Sequence, residues 1–268
     1  MDLGLKNKTV LITGGSSGIG KETALAYAKE NGVQIAVTYF SGEQAALELI
    51  ESINKQGNKA MAVPLSLADF SSIEKAFSEI IDRFGSIDVL INNAVYWGDG
   101  SAMGKSFEEM PMQQWRDIIG INLFGTVRLT QLVLPGMRTQ KFGRIVNVSS
   151  DIALDSMVGS GPYGSLKAAL FGLTSNLVVE ASMDNILTNV VLPSLTMTPK
   201  AEHRFPNEFK TLAKAAFPTG RVTAPQDVAS LITYLGSAAN SHVNGEMIKA
   251  TGKGSQPLLN YMFTNTNK

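Results

Sequence analysis

Tyr163 and Lys167 are four residues apart, and on a helix that spacing stacks both side chains on one face. An ammonium beside a phenol stabilises the ionised form of the phenol, so the pair is suited to moving a proton. Taken alone, such a pair is more often a half-buried tyrosine beside a lysine whose stem covers apolar surface. Here other polar residues accompany it. Ser150 closes an apolar run thirteen residues before Tyr163, and Asn122 lies in an earlier segment of helical character. Ser149 and Ser150 end a strand and face opposite ways, so only one of them reaches a shared site.

These residues need a scaffold, and the sequence offers strands alternating with helices. Thr9 to Ile12 is an apolar run that stops at Thr13-Gly14-Gly15-Ser16-Ser17-Gly18-Ile19-Gly20, after which Glu22 to Lys29 reads as a helix. Such a glycine turn lets the backbone approach a pyrophosphate and aims helix N–H groups at it. Gly14, Ser16, Ser17, Gly18, Ile19 and Gly20 are therefore candidate cofactor-binding residues. Val33 to Tyr39 is a second strand, and Ser41-Gly42-Glu43-Gln44 has the form of a capping box opening a helix that ends near Gly57. Ala60 to Leu65 is a third strand. Ser71 and Glu74 suggest another capping box, followed by a core stripe of Ile73, Ala76, Phe77, Ile80, Ile81 and Phe84.

Asp88 to Ile91 forms a fourth strand leading to Asn92-Asn93-Ala94. The long connection to Trp115 carries Tyr96, Trp97 and Asp99, a candidate substrate wall. Trp115 to Leu134 reads as one long helix holding Asn122, and Gly143 to Ser150 as a fifth strand. Pro162 to about Met183 is a helix apolar on more than one face, the pattern of an element buried twice, and its second face is a candidate subunit interface. Leu187 to Leu192 is a sixth strand, Arg221 to Gly236 a helix and Gly245 to Thr251 a last strand. With no repeat and no break in composition, this order predicts one α/β domain over 1–268. Its core would be a single doubly wound parallel sheet of about seven strands, Rossmann-like, with helices on both faces.

Lysines plus arginines number 23, as do aspartates plus glutamates, so no bulk charge favours nucleic acid or an anionic membrane. The absence of cysteine excludes disulfides and thiolate chemistry, and two separated histidines argue against a metal site. Residues 1–8 show no basic-then-apolar signal segment, and no apolar run approaches the roughly 18 residues of a membrane span. The expectation is a soluble, cytoplasmic protein.

With the glycine turn, Asn122, Ser150, Tyr163 and Lys167 all in register, residues 8 to 252 resemble the short-chain dehydrogenase/reductase family of the classical type. The resemblance implies an oxidoreductase that transfers a hydride between NADP(H) or NAD(H) and a carbonyl or secondary alcohol, a ketoreductase. Tyr163 would be its acid/base, Lys167 would lower the phenol toward working pH, and Ser150 would orient the carbonyl. Asn122 would hold a water linking Lys167 to solvent. It further implies cofactor contacts from Tyr39 and Ser41 at the ribose, Ser66 and Leu67 at the adenine, Asn93 and Ala94 behind the nicotinamide ribose, and Pro193 and Thr198 at the carboxamide. Tyr163 and Lys167 would also touch the nucleotide.

No acidic residue falls where NAD-preferring relatives carry one, so NADP(H) is favoured over NAD(H). A substrate lid at about 194–220, a C-terminal tail at about 254–268 and a homodimer or homotetramer complete the expectation. Val95, Ser194 and Ser66 depart from the family pattern, which favours an alternative: a non-catalytic nucleotide-binding relative acting as a sensor or scaffold.

Overall fold

A computed structural model describes residues 2–100 and 105–254. Seven strands form one sheet in the order β3-β2-β1-β4-β5-β6-β7, all neighbours parallel. They are β1 (Thr9–Ile12), β2 (Gln34–Tyr39), β3 (Lys59–Pro64), β4 (Val89–Asn92), β5 (Gly143–Val148), β6 (Ile186–Pro193) and β7 (Met247–Ala250). The helices are α1 (Gly18–Tyr27), α2 (Glu43–Lys55), α3 (Phe70–Phe84), α4 (Met112–Ile119), α5 (Gly125–Gln140), α6 (Gly161–Ala181), α7 (Pro199–Arg204), α8 (Asn207–Ala216) and α9 (Pro225–Leu235). Strand order reverses direction between β1 and β4, and the crevice at that switch point is where such sheets take ligands.

The central strands are buried on both faces, as parallel sheets require. One face packs against α1, α2 and α9 through residues such as Tyr27, Leu49 and Ile232. The other packs against α3, α5 and α6 through Ile73, Ile80, Leu129 and Leu177. The predicted α3 stripe is core, with Ile73, Ala76 and Ile80 fully buried and Phe77, Ile81 and Phe84 packed at its edge. A third, small cluster of Phe209, Ala213 and Phe217 gives the segment after β6 a core of its own.

Several boundaries differ from the sequence expectation, each for a local reason. The first helix begins at Gly18, inside the glycine turn, because the turn itself supplies the helix start. Neither capping box forms: α2 starts at Gly42 without a side-chain cap, and α3 is capped by Asp69, whose carboxylate accepts from Ser71 N at 2.9 Å. The segment expected as one helix from Trp115 to Leu134 is α4, a π-helical turn at Gly120–Phe124, and α5. Pro135 lies within α5, which continues to Gln140. The strand β5 stops at Val148; Ser149 N still donates to Val191 O of β6 at 2.8 Å, and Ser150 lies beyond the ladder. The run Met112–Gln140 is long and apolar enough to cross a membrane by length and composition, contrary to the sequence reading. Its parts pack on α6 and α3 and contribute Leu129, Val133 and Met137 to the core. The expected tail lies, apart from Gly254, outside the described residues.

Candidate active site

Every predicted site residue except Asn122 and Tyr163 with Lys167 lies at or beyond the C-terminal end of a strand, which concentrates them along one edge of the sheet. At the end of β1 the turn is pinned from three sides. Thr13 Oγ1 accepts from Asn93 N at 2.9 Å and from Ala94 N at 3.0 Å. Asn93 Nδ2 donates to Thr13 O at 2.9 Å and Gly14 O at 3.2 Å. Thr38 Oγ1 accepts from Gly14 N at 3.1 Å, so this buried hydroxyl clamps the turn and does not face a phosphate.

The turn fits a dinucleotide. A Cβ on Gly20 would collide with the Gly14 carbonyl and Asn93 Nδ2, and one on Gly14, at φ +65°, would stand 3.0 Å from Ala94 Cα. Only glycine permits this closeness, and it leaves the backbone bare. Lys21 N is bonded to Ser17 O, so the N–H groups of Gly18, Ile19 and Gly20 at the helix start lack intrahelical acceptors, and the first turn carries no acid. That is an anion site by geometry and dipole. Thr198 is brought to it: its Cγ2 would lie 3.2 Å from a Cβ on Gly18, while its hydroxyl caps α7 by accepting from Ala201 N. Pro193 ends β6, and the unusual Ser194 is buried, its Oγ 3.2 Å from Thr223 Oγ1.

The other cofactor residues lie beyond this cradle. Tyr39 closes β2 beside exposed Ser41, and its hydroxyl donates to Glu43 Oε1 at 3.0 Å. A carboxylate therefore stands at the corner expected to lack one; Glu43 escaped notice because the capping-box pattern had assigned it to the helix start. Ser66 N donates to Ser72 Oγ at 3.0 Å, and Leu67 packs toward α5, its carbonyl 2.7 Å from the place a Gly125 Cβ would take.

At the end of β5, Lys167 is buried and donates from Nζ to Val148 O at 2.7 Å. Ser149 Oγ donates to Lys167 O at 2.8 Å, which turns Ser149 away from the site and leaves Ser150 to it. Tyr163 shares a side-chain hydrogen bond with Ser150. Its ring stacks on Trp97 at 4.7 Å between centroids, and Lys167 Nζ lies 5.6 Å from the ring centre. Burial pushes the phenol well above the ordinary tyrosine value, the Ser150 hydroxyl draws it back, and the Asp151 carboxylate pushes it further up. Burial also pulls Lys167 down to about 8. The expected lowering of the phenol by Lys167 does not appear in this site, where burial dominates.

Asn122 is buried in the π-helical turn, and its amide is committed to neighbours. Nδ2 donates to Ile118 O at 2.7 Å and Tyr96 O at 2.9 Å, and Oδ1 accepts from Tyr96 N at 2.7 Å. It holds the loop that places Trp97 on Tyr163. Of the candidate substrate wall, Trp97 is 60 % exposed, whereas Phe209 and Phe217 after β6 are core.

Comparison with known proteins agrees with this arrangement. The family model described as short chain dehydrogenase matches residues 8–208. The 3-oxoacyl-[acyl-carrier-protein] reductase of Aquifex aeolicus is 36% identical, covering 94% of this chain and 99% of its own. A 7 alpha-hydroxysteroid dehydrogenase, solved with NADH and 7-oxo glycochenodeoxycholic acid, superposes with a TM-score of 0.87 at 29% identity, over 96% of this chain and 98% of that one. The acetoin dehydrogenase of Salmonella typhimurium gives a TM-score of 0.80 at 31% identity, over 92% and 95%.

The buried ammonium has a consequence for stability. Lys167 gives up its proton near pH 8 in the folded protein, whereas in the unfolded chain it holds it to the ordinary value of 10.5. Between those limits the unfolded state binds more protons, so this residue makes stability rise with pH there. In urea unfolding at about pH 7.5 and about pH 9.5, wild type is expected to gain stability relative to Lys167→Met as pH rises; parallel midpoints in the two proteins would contradict the burial argument.

Proposed function

This chain belongs to the short-chain dehydrogenase family, and from that premise we propose that Tyr163, Ser150 and Lys167 carry its chemistry. It is an NAD(P)-dependent oxidoreductase of the ketoreductase kind, acting on carbonyl or alcohol substrates. The nicotinamide nucleotide, when bound, supplies or receives the hydride. In the reductive direction the carbonyl carbon takes the hydride, the π pair moves to oxygen, and the Tyr163 proton completes the alcohol. The reverse step returns that proton to the tyrosinate. Ser150 orients the carbonyl oxygen and stabilises its developing charge. Lys167, fixed by Val148 O, supplies positive charge near the phenol ring. The reading rests above all on the convergence of Ser150 and Lys167 on Tyr163 at the end of β5.

The nucleotide residues are Gly14, Ser16, Ser17, Gly18, Ile19 and Gly20 at the pyrophosphate, with Asn93, Ala94, Pro193 and Thr198 around the nicotinamide half. Tyr39 and Ser41 stand at the ribose and Ser66 and Leu67 at the adenine. Asn122 is a positioning residue, acting through Tyr96. The substrate is a ketone with an apolar or flat flank, supported by the exposed indole of Trp97 stacked on Tyr163. The 3-oxoacyl, acetoin and steroid relatives span that range. The segment 194–220 acts as the substrate lid.

Two substitutions test the chemistry. Tyr163→Phe and Lys167→Ala should each lower turnover by roughly 10² or more, the range for losing a general acid or the charge that tunes it. A panel of ethyl 3-oxobutanoate, diacetyl and a steroid ketone, each with both nucleotides, supplies the assay. Wild-type turnover in a folded Tyr163→Phe enzyme would refute the assignment; loss of turnover with nucleotide binding retained supports it over the sensor reading.

NADP(H) is favoured over NAD(H), through the Ser41 hydroxyl, backbone N–H groups and exposed Lys21, but Glu43 beside Tyr39 limits the preference. Glu43→Gln should raise kcat/KM for NADPH relative to NADH on the order of threefold, the scale of an exposed charge contact. An unchanged ratio, or a wild type that prefers NADH, places the phosphate elsewhere.

The enzyme is a homodimer or homotetramer, supported by apolar residues left open at the C-terminal end of α6, where Val179 and Met183 are exposed. Light scattering at micromolar concentration should report a mass at least twice that of the chain; a monomer sinks this reading.

A further inference from the structure

Residues 96 to 99, just past β4, are held at both ends by a buried amide. At one end Asn122 grips the N–H and the carbonyl of Tyr96. At the other, Gln114 of α4, itself 4 % exposed, donates from Nε2 to Asp99 Oδ1 at 2.7 Å. Gln114 Oε1 is buried and accepts no hydrogen bond. An acceptor left bare in the interior is costly, but turning the amide over would be worse, since it would set Oε1 against the Asp99 carboxylate. Asp99 therefore dictates which way Gln114 points, and the loop backbone rests on the bare oxygen. A Cβ on Gly98, at φ +79°, would lie 2.5 Å from that oxygen and 3.2 Å from Ile118 Cδ1. Glycine lets the loop settle directly onto α4 there.

Trp97 stands between the two clamps. Its ring stacks on Tyr163 with centroids 4.7 Å apart and planes 25° from parallel, yet 60 % of the residue is exposed. With one face of the indole on the phenol, the exposed part is mainly the opposite face and the rim. Apolar ring surface left to water beside a reacting group is surface that a ligand gains by covering. The platform is also stiff. Because Tyr96 and Gly98 are both pinned, little freedom is left for a ligand to freeze out, and that favours binding.

The stack also limits what can use the platform. A flat group laid on the outer face comes within about 4 Å of the indole, two ring layers away from the phenol. The substrate carbonyl must meet the Tyr163 hydroxyl at the edge of the phenol. A substrate satisfies both contacts only when a short spacer separates its ring from its carbonyl, and methyl or acetyl flanks are too short to reach. The loop from Ser150 to α6 adds exposed Leu154 and Val158, while the carboxylates of Asp99 and Asp155 are engaged by Gln114 and Lys249.

We propose that Trp97 is a specificity-determining residue whose outer face receives a ring of the substrate, and that Gln114 is a positioning residue that holds it in place over Tyr163. The substrates are then ketones, and the matching alcohols, that carry a planar apolar ring a few bonds from the reacting carbon. This narrows the substrate class proposed above and rests on Tyr163 being the proton donor.

A matched pair of ketones tests it. Butan-2-one and 4-phenylbutan-2-one differ by one phenyl ring, carried on the second carbon from the carbonyl. Wild type should favour the phenyl ketone in kcat/KM. Trp97→Ala should lower that preference roughly tenfold, in KM more than in kcat, the scale of one aromatic contact, and Trp97→Phe should recover part of it. Gln114→Leu should lower the preference in the same direction; if it does not fold, Asp99→Ala, at the exposed end of the same bond, carries the same expectation. A second readout separates positioning from general loosening. The chain has two tryptophans, so in a Trp115→Phe background the emission reports Trp97 alone. There 4-phenylbutan-2-ol should change the emission where butan-2-ol at equal concentration does not, and Gln114→Leu should weaken that response. A wild type that favours butan-2-one, or a preference unmoved in Trp97→Ala, overturns the proposal; wild-type preference and emission in Gln114→Leu overturn the positioning role. Turnover surviving in Tyr163→Phe would defeat the functional reading itself, whereas an inactive Tyr163→Phe beside an unmoved preference in Trp97→Ala defeats only the aromatic platform.

Discussion

The burial of one ammonium orders the rest of the site. Lys167 sits inside the protein, where a charge is costly to hold, and its Nζ meets Val148 O at the last residue of β5. That bond ties the second turn of α6 to the end of a central strand, and Ser149 Oγ on Lys167 O ties it again. With the helix fixed there, the residue one turn earlier, Tyr163, is brought over Ser150. Deeper in the sheet, Asn92 Nδ2 donates to Asn147 Oδ1 at 2.8 Å and Asn147 Nδ2 to Thr174 Oγ1 at 2.9 Å. This buried polar chain joins β4, β5 and α6 below Tyr163 and Lys167, and each link would be costly to leave unmade.

The cofactor cradle is a separate assembly anchored to the same sheet. Thr13, Thr38 and Asn93 hold the glycine turn by its own backbone, from β1, β2 and β4 respectively. Since β4 also carries Asn92, the two assemblies share one strand. The glycine turn and Tyr163 are thereby held in one frame, without a flexible connection between them. The positioning that hydride transfer needs is thus built from hydrogen bonds between strand ends.

The alternation of strands and helices along the chain, and the placing of Tyr163 and Lys167 on one helix, were legible because they rest on period and spacing. Apolar runs of strand length separated by helical stripes leave few alternatives, and a residue pair at i, i+4 keeps its meaning wherever the helix goes. Features set by competition between neighbours were not legible. Ser71 lost the cap of α3 to Asp69, two residues earlier and also able to accept from a backbone N–H. Glu43, assigned to a capping box, instead accepts from Tyr39. The upward shift of Tyr163 is set first by its burial, which spacing does not reveal.

Asn122 shows how a helix defect can serve a site it does not touch through its own side chain. A regular helix through residues 115 to 134 satisfied the apolar period, and nothing in the residue types signalled the π-helical turn at Gly120–Phe124. The wider turn lets Asn122 Nδ2 reach Ile118 O one turn back while the same amide grips both backbone polar groups of Tyr96. Both amide hydrogens are then spent, and Oδ1 keeps one lone pair. The side chain in this state holds a loop; linking Lys167 to solvent would require it to release Tyr96. The next residue in that loop is Trp97, whose exposed indole rests on the phenol of Tyr163. A half-exposed aromatic ring on a loop has little to keep it in place except its backbone anchor, so the surroundings of the Tyr163 phenol are set partly by an asparagine on another helix. Tight backbone hydrogen bonds to Tyr96, and the π turn that makes them reachable, belong to the structure of the active site as much as the residues that meet the substrate.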